Sequence, residues 1–190
     1  MKTLIIDACT SDRSRTRKLA TYLWSKLSGT VNVIRLYEEK PYSLSEALLK
    51  KRDAAIEKND FSDSMFKYAK QFADADIIVI AAPYWDLSFP AVLKQYIETI
   101  NVCGLTFRYS ETGKPESLSN AKRLIYITTA GGYIVSDEFG FGYIKNVSEM
   151  FYGIKKFDYI KAEGMDIFGA DVDDIIKKAQ EDIDKIIFKE

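Results

Sequence analysis

Residues 76–83 read Asp-Ile-Ile-Val-Ile-Ala-Ala-Pro, and this stretch decides the fold class. A continuous apolar run of this length is typical of a central parallel strand that is covered by helices on both faces. The proline ends the strand because it has no N–H group to donate to a neighbouring strand. We therefore predict a buried central strand from Asp76 to Ala82, followed by a loop that begins at Pro83.

Short apolar runs and helical patterns alternate on both sides of this strand. The other predicted strands are Thr3–Ala8, Val31–Leu36, Lys122–Thr129 and Tyr159–Glu163. The predicted helices are Ser14–Leu27, Ser45–Glu57, Ser62–Phe72, Phe89–Ile100, Tyr143–Gly153 and Asp171–Phe188. This alternation indicates an α/β three-layer sandwich, and right-handed crossovers favour a five-stranded parallel sheet in the order 2-1-3-4-5. The sequence contains no repeat or linker, so we expect a single domain over residues 1–190.

The composition excludes several classes of enzyme and partner. The sequence has no histidine, which argues against zinc hydrolases, Ser-His-Asp enzymes and Cys-His enzymes, and we expect no metal site. Lys plus Arg number 27 against 28 for Asp plus Glu, and this balance argues against a nucleic-acid partner or a polybasic membrane contact. Any chemistry must therefore use hydroxyl groups, carboxylates, backbone N–H groups or a cofactor.

The two cysteines and the start of the chain indicate the compartment. Cys9 and Cys103 are far apart and have no metal-ligand spacing, and Met1-Lys2 runs directly into the first predicted strand. The pattern shows no secretory leader and no apolar run long enough to span a membrane. We expect a cytoplasmic protein with free thiols and without a membrane contact.

The predicted sheet order selects three loops before any motif is considered. In an open parallel sheet, ligands bind at the carboxyl ends of the strands, where the strand order reverses direction. Here that point lies between the first and third strands. The loops after Ala8, Ala82 and Thr129 are therefore the candidate site.

The first of these loops, residues 9–16, is suited to an anion. Hydroxyl groups precede a helix, where free N–H groups and the helix dipole favour a phosphate. Ser14 and Thr16 can donate to phosphate oxygens, with positive charge from Arg13, Arg15 or Arg17; the alternative is that Ser14 only caps the helix. The loop lacks both the Gly-x-Gly-x-x-Gly pattern and the Gly-Lys-Ser/Thr of a P-loop, so a monophosphate is favoured. A phosphorelay receiver is excluded because no aspartate ends the third strand.

The other two loops differ in character. Residues 83–90 are aromatic and apolar, which suits either a wall for a flat ring or a hydrophobic cap on the sheet. Residues 128–133 contain Gly131-Gly132, which lets a backbone come close to a ligand, although any tight turn can use two glycines. A phosphate site, an aromatic turn and a glycine turn at one edge together describe a flavin mononucleotide site.

Several longer stretches carry a resemblance to a known family. They are residues 81–85 (Ala-Ala-Pro-Tyr-Trp), 90–97 (Pro-Ala-Val-Leu-Lys-Gln-Tyr-Ile), 104–109 (Gly-Leu-Thr-Phe-Arg-Tyr) with Gly113, and 128–132 (Thr-Thr-Ala-Gly-Gly). Over nearly its whole length the chain resembles the FMN-dependent NAD(P)H quinone reductases and NADH-azoreductases, which have a flavodoxin-like fold. Asp86 and Ala130 stand where some members of that family have Asn and Arg.

The resemblance implies an FMN site and assigns residues to it. The FMN phosphate is expected to bind Ser14, Arg15 and Thr16. The ring is expected to contact Pro83, Tyr84, Trp85, Asp86 and Leu87, mainly through backbone groups. The pyrimidine edge of the ring is expected to face Thr129, Ala130, Gly131 and Gly132.

The resemblance also implies a reaction and an assembly. NADH or NADPH would pass a hydride to flavin N5 and leave, and a small aromatic electron acceptor such as a quinone or azo compound would then take its place. Trp85, Phe107 and Tyr133 are expected to line the acceptor pocket, with Tyr133 as a proton donor; ordinary packing is the alternative for each. Family members are two-fold dimers with shared active sites, so a homodimer is expected, with the segment around Phe107 reaching the partner's flavin.

Two other functions are compatible with the same fold. A flavodoxin-type electron carrier binds FMN without turning over NAD(P)H itself, but such carriers usually have a strongly acidic face, which a net charge of −1 does not suggest. A scaffold without flavin is disfavoured by the presence of Ser14, Thr16, Gly131 and Gly132.

Overall fold

The computed structural model describes residues 1–187. The predicted end of the last helix at Phe188 and the predicted end of the domain at Glu190 lie outside the described residues. Within residues 1–187, no helix has both the length and the apolar character needed to cross a membrane.

Five parallel strands form the central sheet. They are β1 (Lys2–Asp7), β2 (Thr30–Arg35), β3 (Ile77–Ala81), β6 (Arg123–Thr129) and β7 (Lys156–Ala162). Their spatial order is β2-β1-β3-β6-β7. A small antiparallel hairpin, β4 (Phe107–Tyr109) and β5 (Pro115–Ser117), comes between β3 and β6 in the chain. The predicted numbering 2-1-3-4-5 is therefore wrong, because this hairpin takes the fourth and fifth places in chain order.

Helices connect the strands. They are α1 (Arg15–Lys26), α2 (Leu36–Glu39), α3 (Glu46–Glu57), α4 (Lys67–Asp74), α5 (Ala91–Ile100), α6 (Tyr143–Tyr152) and α7 (Val172–Ile187). A 3₁₀ turn at Ser64–Phe66 precedes α4, and a π-helical turn at Glu138–Gly142 precedes α6. The helix predicted over Ser62–Phe72 is thus divided between two helical geometries. The last strand begins at Lys156 rather than at Tyr159.

The sheet separates two apolar cores. Because side chains alternate along a strand, Ile5, Val79 and Ile125 point into one core, which α1 and α7 cover. Leu4, Ile78 and Leu124 point into the other, which α4, α5 and α6 cover. All residues of β3 and β6 are buried, as expected for strands with helices on both faces.

The register of the sheet aligns the carboxyl ends of β1, β3 and β6. Asp7 pairs with Ala81, and Ala81 pairs with Ile127. The alignment continues past the strand ends, because Ala8 N–H donates to the Ala81 carbonyl at 2.8 Å and Ala82 N–H donates to the Ile127 carbonyl at 3.0 Å. The three loops selected from the sequence therefore leave the sheet side by side.

Candidate functional site

The three loops are joined directly by hydrogen bonds. Tyr84 N–H donates to the Thr129 carbonyl at 3.0 Å, which connects the loop after β3 to the end of β6. The hydroxyl groups of Thr16 and Thr129 share a hydrogen bond at 2.7 Å, and both side chains are buried. The structure thus brings the first turn of α1, the aromatic loop and the glycine loop into one cluster.

The amino end of α1 presents unpaired donors. Ser14 is the N-cap, and its hydroxyl accepts a hydrogen bond from Arg17 N–H at 3.3 Å. Within residues 1–187, the N–H groups of Arg15 and Thr16 have no recorded acceptor, as is usual in the first turn of a helix. Because the helix dipole adds partial positive charge at the same place, this turn is suited to bind an anion.

A buried ion pair holds the loop that precedes α1. Arg17 Nε donates to Asp7 Oδ2 at 2.6 Å, and both side chains are largely buried. The same guanidinium group donates to the Cys9 carbonyl at 2.7 Å and to Asp12 at 2.6 Å. Arg17 is therefore committed to the loop itself. In the sequence, Asp7 is the residue that indicates this ion pair, because a carboxylate that ends a buried strand needs a partner.

Burial makes the Cys9 thiol unreactive. Burial, followed by the nearby Asp7 charge, raises the pKa of Cys9 to about 12. Its backbone N–H donates to Asp7 Oδ1 at 2.8 Å, so the residue helps to shape the loop. Because a thiol reacts as the thiolate, Cys9 is not a candidate nucleophile.

Arg15 makes an ion pair outside its own loop. Its Nη1 lies 2.8 Å from Oδ1 of Asp166, in the loop that follows β7. Asp166 was not predicted as a site residue. No local pattern identifies it, since only the fold brings two residues so distant in sequence together.

The aromatic loop after β3 forms a tight turn with unusual backbone angles. Trp85 and Ser88 exchange two backbone hydrogen bonds, at 3.0 and 2.8 Å. Between them, Asp86 and Leu87 have φ angles of 49° and 66°, in the left-handed region that leucine rarely adopts. The N–H groups of Asp86 and Leu87 have no acceptor among the residues that the structure describes. The Ser88 hydroxyl donates to the Phe139 carbonyl at 2.6 Å, which anchors the turn.

The side chains of this loop provide an exposed apolar surface. Trp85 is 43% exposed and Leu87 is 49% exposed, whereas Pro83 and Tyr84 are partly buried. The Tyr84 hydroxyl donates to the Ser136 carbonyl at 3.4 Å. Such a surface can contact a flat ring, and the unpaired N–H groups of the turn can donate to acceptor atoms at the edge of that ring.

In the glycine loop, the carbonyl groups accept hydrogen bonds, whereas the N–H groups have no acceptor among the described residues. The carbonyls of Gly131 and Gly132 accept hydrogen bonds from Asp166 N–H and Gly164 N–H, both at 2.8 Å. No recorded hydrogen bond within residues 1–187 uses the two glycine N–H groups. A side chain at Gly131 would overlap the Asp166 carboxylate unless that carboxylate moved away. Ala130, which follows β6 directly, is buried.

Tyr133 lies at the outer end of the glycine loop. It is 67% exposed, and its ring lies close to Gly164. Glu163 accepts a hydrogen bond from Ile134 N–H at 2.8 Å, which holds the backbone after Tyr133. Glu163, like Asp166, follows β7 and was missed in the sequence, because the loop after the fifth strand was not among the selected loops.

Phe107 lies away from this cluster in its own chain. It is buried in the hairpin against Phe151, with ring centroids 4.8 Å apart. The hairpin follows the carboxyl end of α5, and Ser117 at its end donates to the carbonyl of Tyr152, the last residue of α6. Both helices run from the carboxyl edge of the sheet back to its amino edge. Phe107 is therefore not brought together with Trp85 and Tyr133 within one chain.

The cluster fits a molecule such as FMN. The unpaired N–H groups at Arg15 and Thr16 suit a phosphate. Those of the turn after β3 and of the glycine loop suit a planar ring with acceptor atoms along its edge, and Trp85 and Leu87 supply apolar contact. The residues present therefore fit the cofactor that the sequence predicts.

Comparisons with known proteins identify the family of the chain. The profile of the family described as "Flavodoxin-like fold" matches residues 1–187. An FMN-dependent NADH:quinone oxidoreductase of Coprothermobacter proteolyticus is 34% identical over 155 residues, which cover 80% of this chain and 77% of that protein. Another, from Clostridium perfringens, is 42% identical over 127 residues, which cover 66% of this chain and 62% of that protein.

A comparison with solved structures gives the same fold. A solved azoreductase from Bacillus anthracis is 24% identical, with a TM-score of 0.85 and full coverage of both chains, which confirms the fold. The family resemblance predicted from the residues is also confirmed. The chain belongs to the flavodoxin-like fold family, among relatives named FMN-dependent NADH:quinone oxidoreductases.

Proposed function

We propose that this chain is an FMN-dependent NAD(P)H oxidoreductase that reduces a quinone, an azo compound or a related aromatic acceptor. The observation that carries the proposal is the alignment of three pairs of unpaired N–H groups at one edge of the sheet: Arg15 and Thr16, Asp86 and Leu87, and Gly131 and Gly132. The names of the relatives support the same activity.

Each part of the site has a role in holding FMN. The Ser14 hydroxyl, the Arg15 side chain and the N–H groups of Arg15 and Thr16 would hold the phosphate at the amino end of α1. Pro83, Tyr84, Trp85, Asp86 and Leu87 would contact the ring, and Thr129, Ala130, Gly131 and Gly132 would face its pyrimidine edge. Bound FMN supplies the hydride transfer chemistry, which no side chain of this protein provides.

The chain supplies electrostatic stabilisation and positioning. The N–H groups of Gly131 and Gly132 would face the pyrimidine edge of bound FMN and would stabilise negative charge there, as in an oxyanion hole. The Thr16–Thr129 hydrogen bond keeps the phosphate end and the ring end in a fixed relation. Tyr133 Oη is exposed beside the glycine loop, and it donates a proton to the acceptor and regains one from water.

The acceptor pocket is completed by a second copy of the chain. Phe107 lies at the amino edge of the sheet and is remote from the three loops of its own chain. An apolar groove of about 640 Å³ between α5 and α6, lined by Phe89, Phe139 and Phe151 among others, continues from the hairpin. In a two-fold dimer packed through this face, the partner's hairpin brings its phenylalanine to Trp85 and Tyr133.

A reductive titration tests the proposed function. The purified protein is incubated with FMN, and its visible spectrum is followed without oxygen as NADH or NADPH is added. A bound flavin band that bleaches, and returns when a quinone is added, is the expected result. A bound flavin that neither nucleotide reduces indicates the electron carrier instead, and the lack of a flavin band contradicts both. The free thiols of Cys9 and Cys103 are compatible with the proposed cytoplasmic location.

A further inference from the structure

One ion pair connects the two ends of the proposed flavin site. Arg15, the first residue of α1, contacts Asp166 with Nη1 and Oδ1 2.8 Å apart. The backbone N–H of Asp166 also donates to the Gly131 carbonyl at 2.8 Å. Asp166 is thus fixed by its backbone to the glycine loop and by its side chain to the phosphate loop.

The Asp166 carboxylate lies directly against the α-carbon of Gly131. Any side chain at Gly131 would overlap Asp166 Oδ2, whereas Gly132 has open space beside it. A full negative charge therefore stands next to the backbone whose N–H groups are proposed to face the pyrimidine edge of the ring. Arg15 is the cation that neutralises it. The side chains of Arg15 and Asp166 are 38% and 66% exposed, so water screens much of the interaction and the effect of each charge is expected to be modest.

On the basis of the proposed flavin site, we propose that Asp166 and Arg15 form a balanced charge pair that sets the preference of the site for reduced over oxidised FMN. A hydride carries two electrons and one proton, so its transfer from NAD(P)H leaves NAD(P)⁺ and adds one negative charge to the flavin until a second proton binds. A charge near the pyrimidine edge therefore changes the binding of the reduced form more than that of the oxidised form.

The two residues have opposite predicted effects. Removing the Asp166 charge leaves Arg15 unopposed and favours the reduced form. Removing the Arg15 charge leaves the Asp166 carboxylate unopposed and disfavours the reduced form. Removing both restores a neutral pair. A purely structural ion pair behaves differently, because either single change then loosens the same contact and acts in the same direction.

The test compares the apoprotein with Asp166→Asn, Arg15→Gln and the double variant. Dissociation constants are measured for oxidised FMN and, without oxygen, for FMN reduced by dithionite. In Asp166→Asn, the ratio of the two constants is expected to change about three- to tenfold in favour of reduced FMN. In Arg15→Gln, it is expected to change by a similar factor in favour of oxidised FMN. The double variant is expected to stay within about twofold of the wild type. Weaker phosphate binding in Arg15→Gln affects both forms and cancels in the ratio.

A remote ion pair provides the control. Lys2 and Asp74 are 2.7 Å apart at the amino edge of the sheet, and Asp74→Asn is expected to leave the ratio unchanged. Equal ratios in all variants overturn the inference, and so do single variants that both shift the ratio in the same direction. In either case, FMN binding and reduction by NADH leave the proposed function intact. If the wild-type protein binds no FMN, the proposed function fails and the inference fails with it.

Discussion

At the scale of single residues, the turn after β3 has the most unusual backbone of the site. Leu87 has a φ of 66° next to Asp86 at 49°, and neither is a glycine. The left-handed conformation costs an ordinary residue about 1–2 kcal/mol. Strain of this kind tends to occur at functional sites, where the surrounding structure maintains it. Here the hydrogen bonds between Trp85 and Ser88 hold the turn, and the two strained residues keep their N–H groups unpaired.

Leu87→Gly is therefore expected to raise the free energy of unfolding by about 0.5 kcal/mol, because the relieved strain exceeds the added entropy of the unfolded chain. The matched control is Leu118→Gly, at an exposed leucine without a left-handed backbone. It is expected to lower the free energy of unfolding by about 1 kcal/mol. Urea unfolding of both variants is the measurement. Equal losses in the two variants would show that the turn stores no strain.

Residue-scale prediction from the sequence succeeds for local features. For Ser14 the sequence predicts phosphate binding, with a helix cap as the alternative; the structure shows the cap, and phosphate binding remains a prediction. The partner of Arg15 was not predictable, because Asp166 is brought to it only by the crossover from β6 to β7. The left-handed angle of Leu87 was also not predictable, since leucine gives no signal for it.

At the scale of elements, α1 and α3 begin in the same way and differ in their surroundings. Ser14 caps α1 by accepting from Arg17 N–H at 3.3 Å, and Ser45 caps α3 by accepting from Leu48 N–H at 3.3 Å. The amino end of α1 lies at the carboxyl edge of the sheet beside the Thr16–Thr129 hydrogen bond. Helix α3 has no buried residue among those described and lies outside the cluster of loops.

Ser14→Ala and Ser45→Ala are each expected to lower the free energy of unfolding by about 1 kcal/mol, since each removes one cap. Only Ser14→Ala is expected to weaken FMN binding, by about tenfold, because it also removes a hydrogen bond to the charged phosphate. Urea unfolding and fluorescence titration of the apoprotein with FMN measure the two effects. Equal FMN affinities in the two variants would contradict the phosphate assignment.

The sequence predicts the large elements and misses the small ones. Strands β1, β3 and β6 each contain a short apolar run, and their predicted ends lie within one or two residues of the observed ends. Strand β7 was placed too late because its first residues, Lys156 to Asp158, mix charged and aromatic side chains at the edge of the sheet. The hairpin strands are short and largely exposed, so no run of apolar residues marks them.

At the scale of the whole molecule, burial of thiol and phenol groups makes stability depend on alkaline pH. Burial raises the pKa of Cys9 from 9.0 and that of Tyr68 from 10.0, each to about 12. Burial also raises the pKa of six other phenols: Tyr37, Tyr42, Tyr96, Tyr126, Tyr152 and Tyr159. Above the ordinary pKa values, the unfolded chain has released protons that the folded chain retains. The free energy of unfolding must therefore fall as pH rises.

As pH rises, Cys9 is the first of these groups to lower the stability of the fold, because a thiol has a lower ordinary pKa than a phenol. Between pH 9 and 10 it is expected to lower the free energy of unfolding by about 1 kcal/mol, and the tyrosines add to the decrease above pH 10. Urea unfolding at pH 8, 9, 10 and 10.5 measures the curve, and Cys9→Ala is expected to remove the part between pH 9 and 10. Parallel curves for the wild type and Cys9→Ala would mean that the thiol ionises equally in both states.

The position of Phe107 makes a dimer necessary if that residue contacts the acceptor. Its hairpin is anchored at the amino edge by Ser117, which donates to the Tyr152 carbonyl at 2.7 Å. The loops proposed to hold the flavin leave the opposite edge of the sheet. A chain that lacks Phe107 and a chain that cannot bind FMN should therefore complement each other. Arg15→Glu provides the second defect, because it places a negative charge in the phosphate site.

Co-expression of a Phe107→Ala chain with an Arg15→Glu chain is expected to restore turnover that neither homodimer has. A random mixture contains about half heterodimers, and each heterodimer has one complete site, so about a quarter of wild-type quinone reduction is expected per chain. Ultracentrifugation of the wild type and anaerobic stopped-flow assays of the mixture are the measurements. If Phe107 acted within its own chain, the Phe107→Ala chain would gain nothing from its partner, and the mixture would show only the average of the two parents. Recovery of activity therefore requires that the hairpin of one chain serves the flavin of the other.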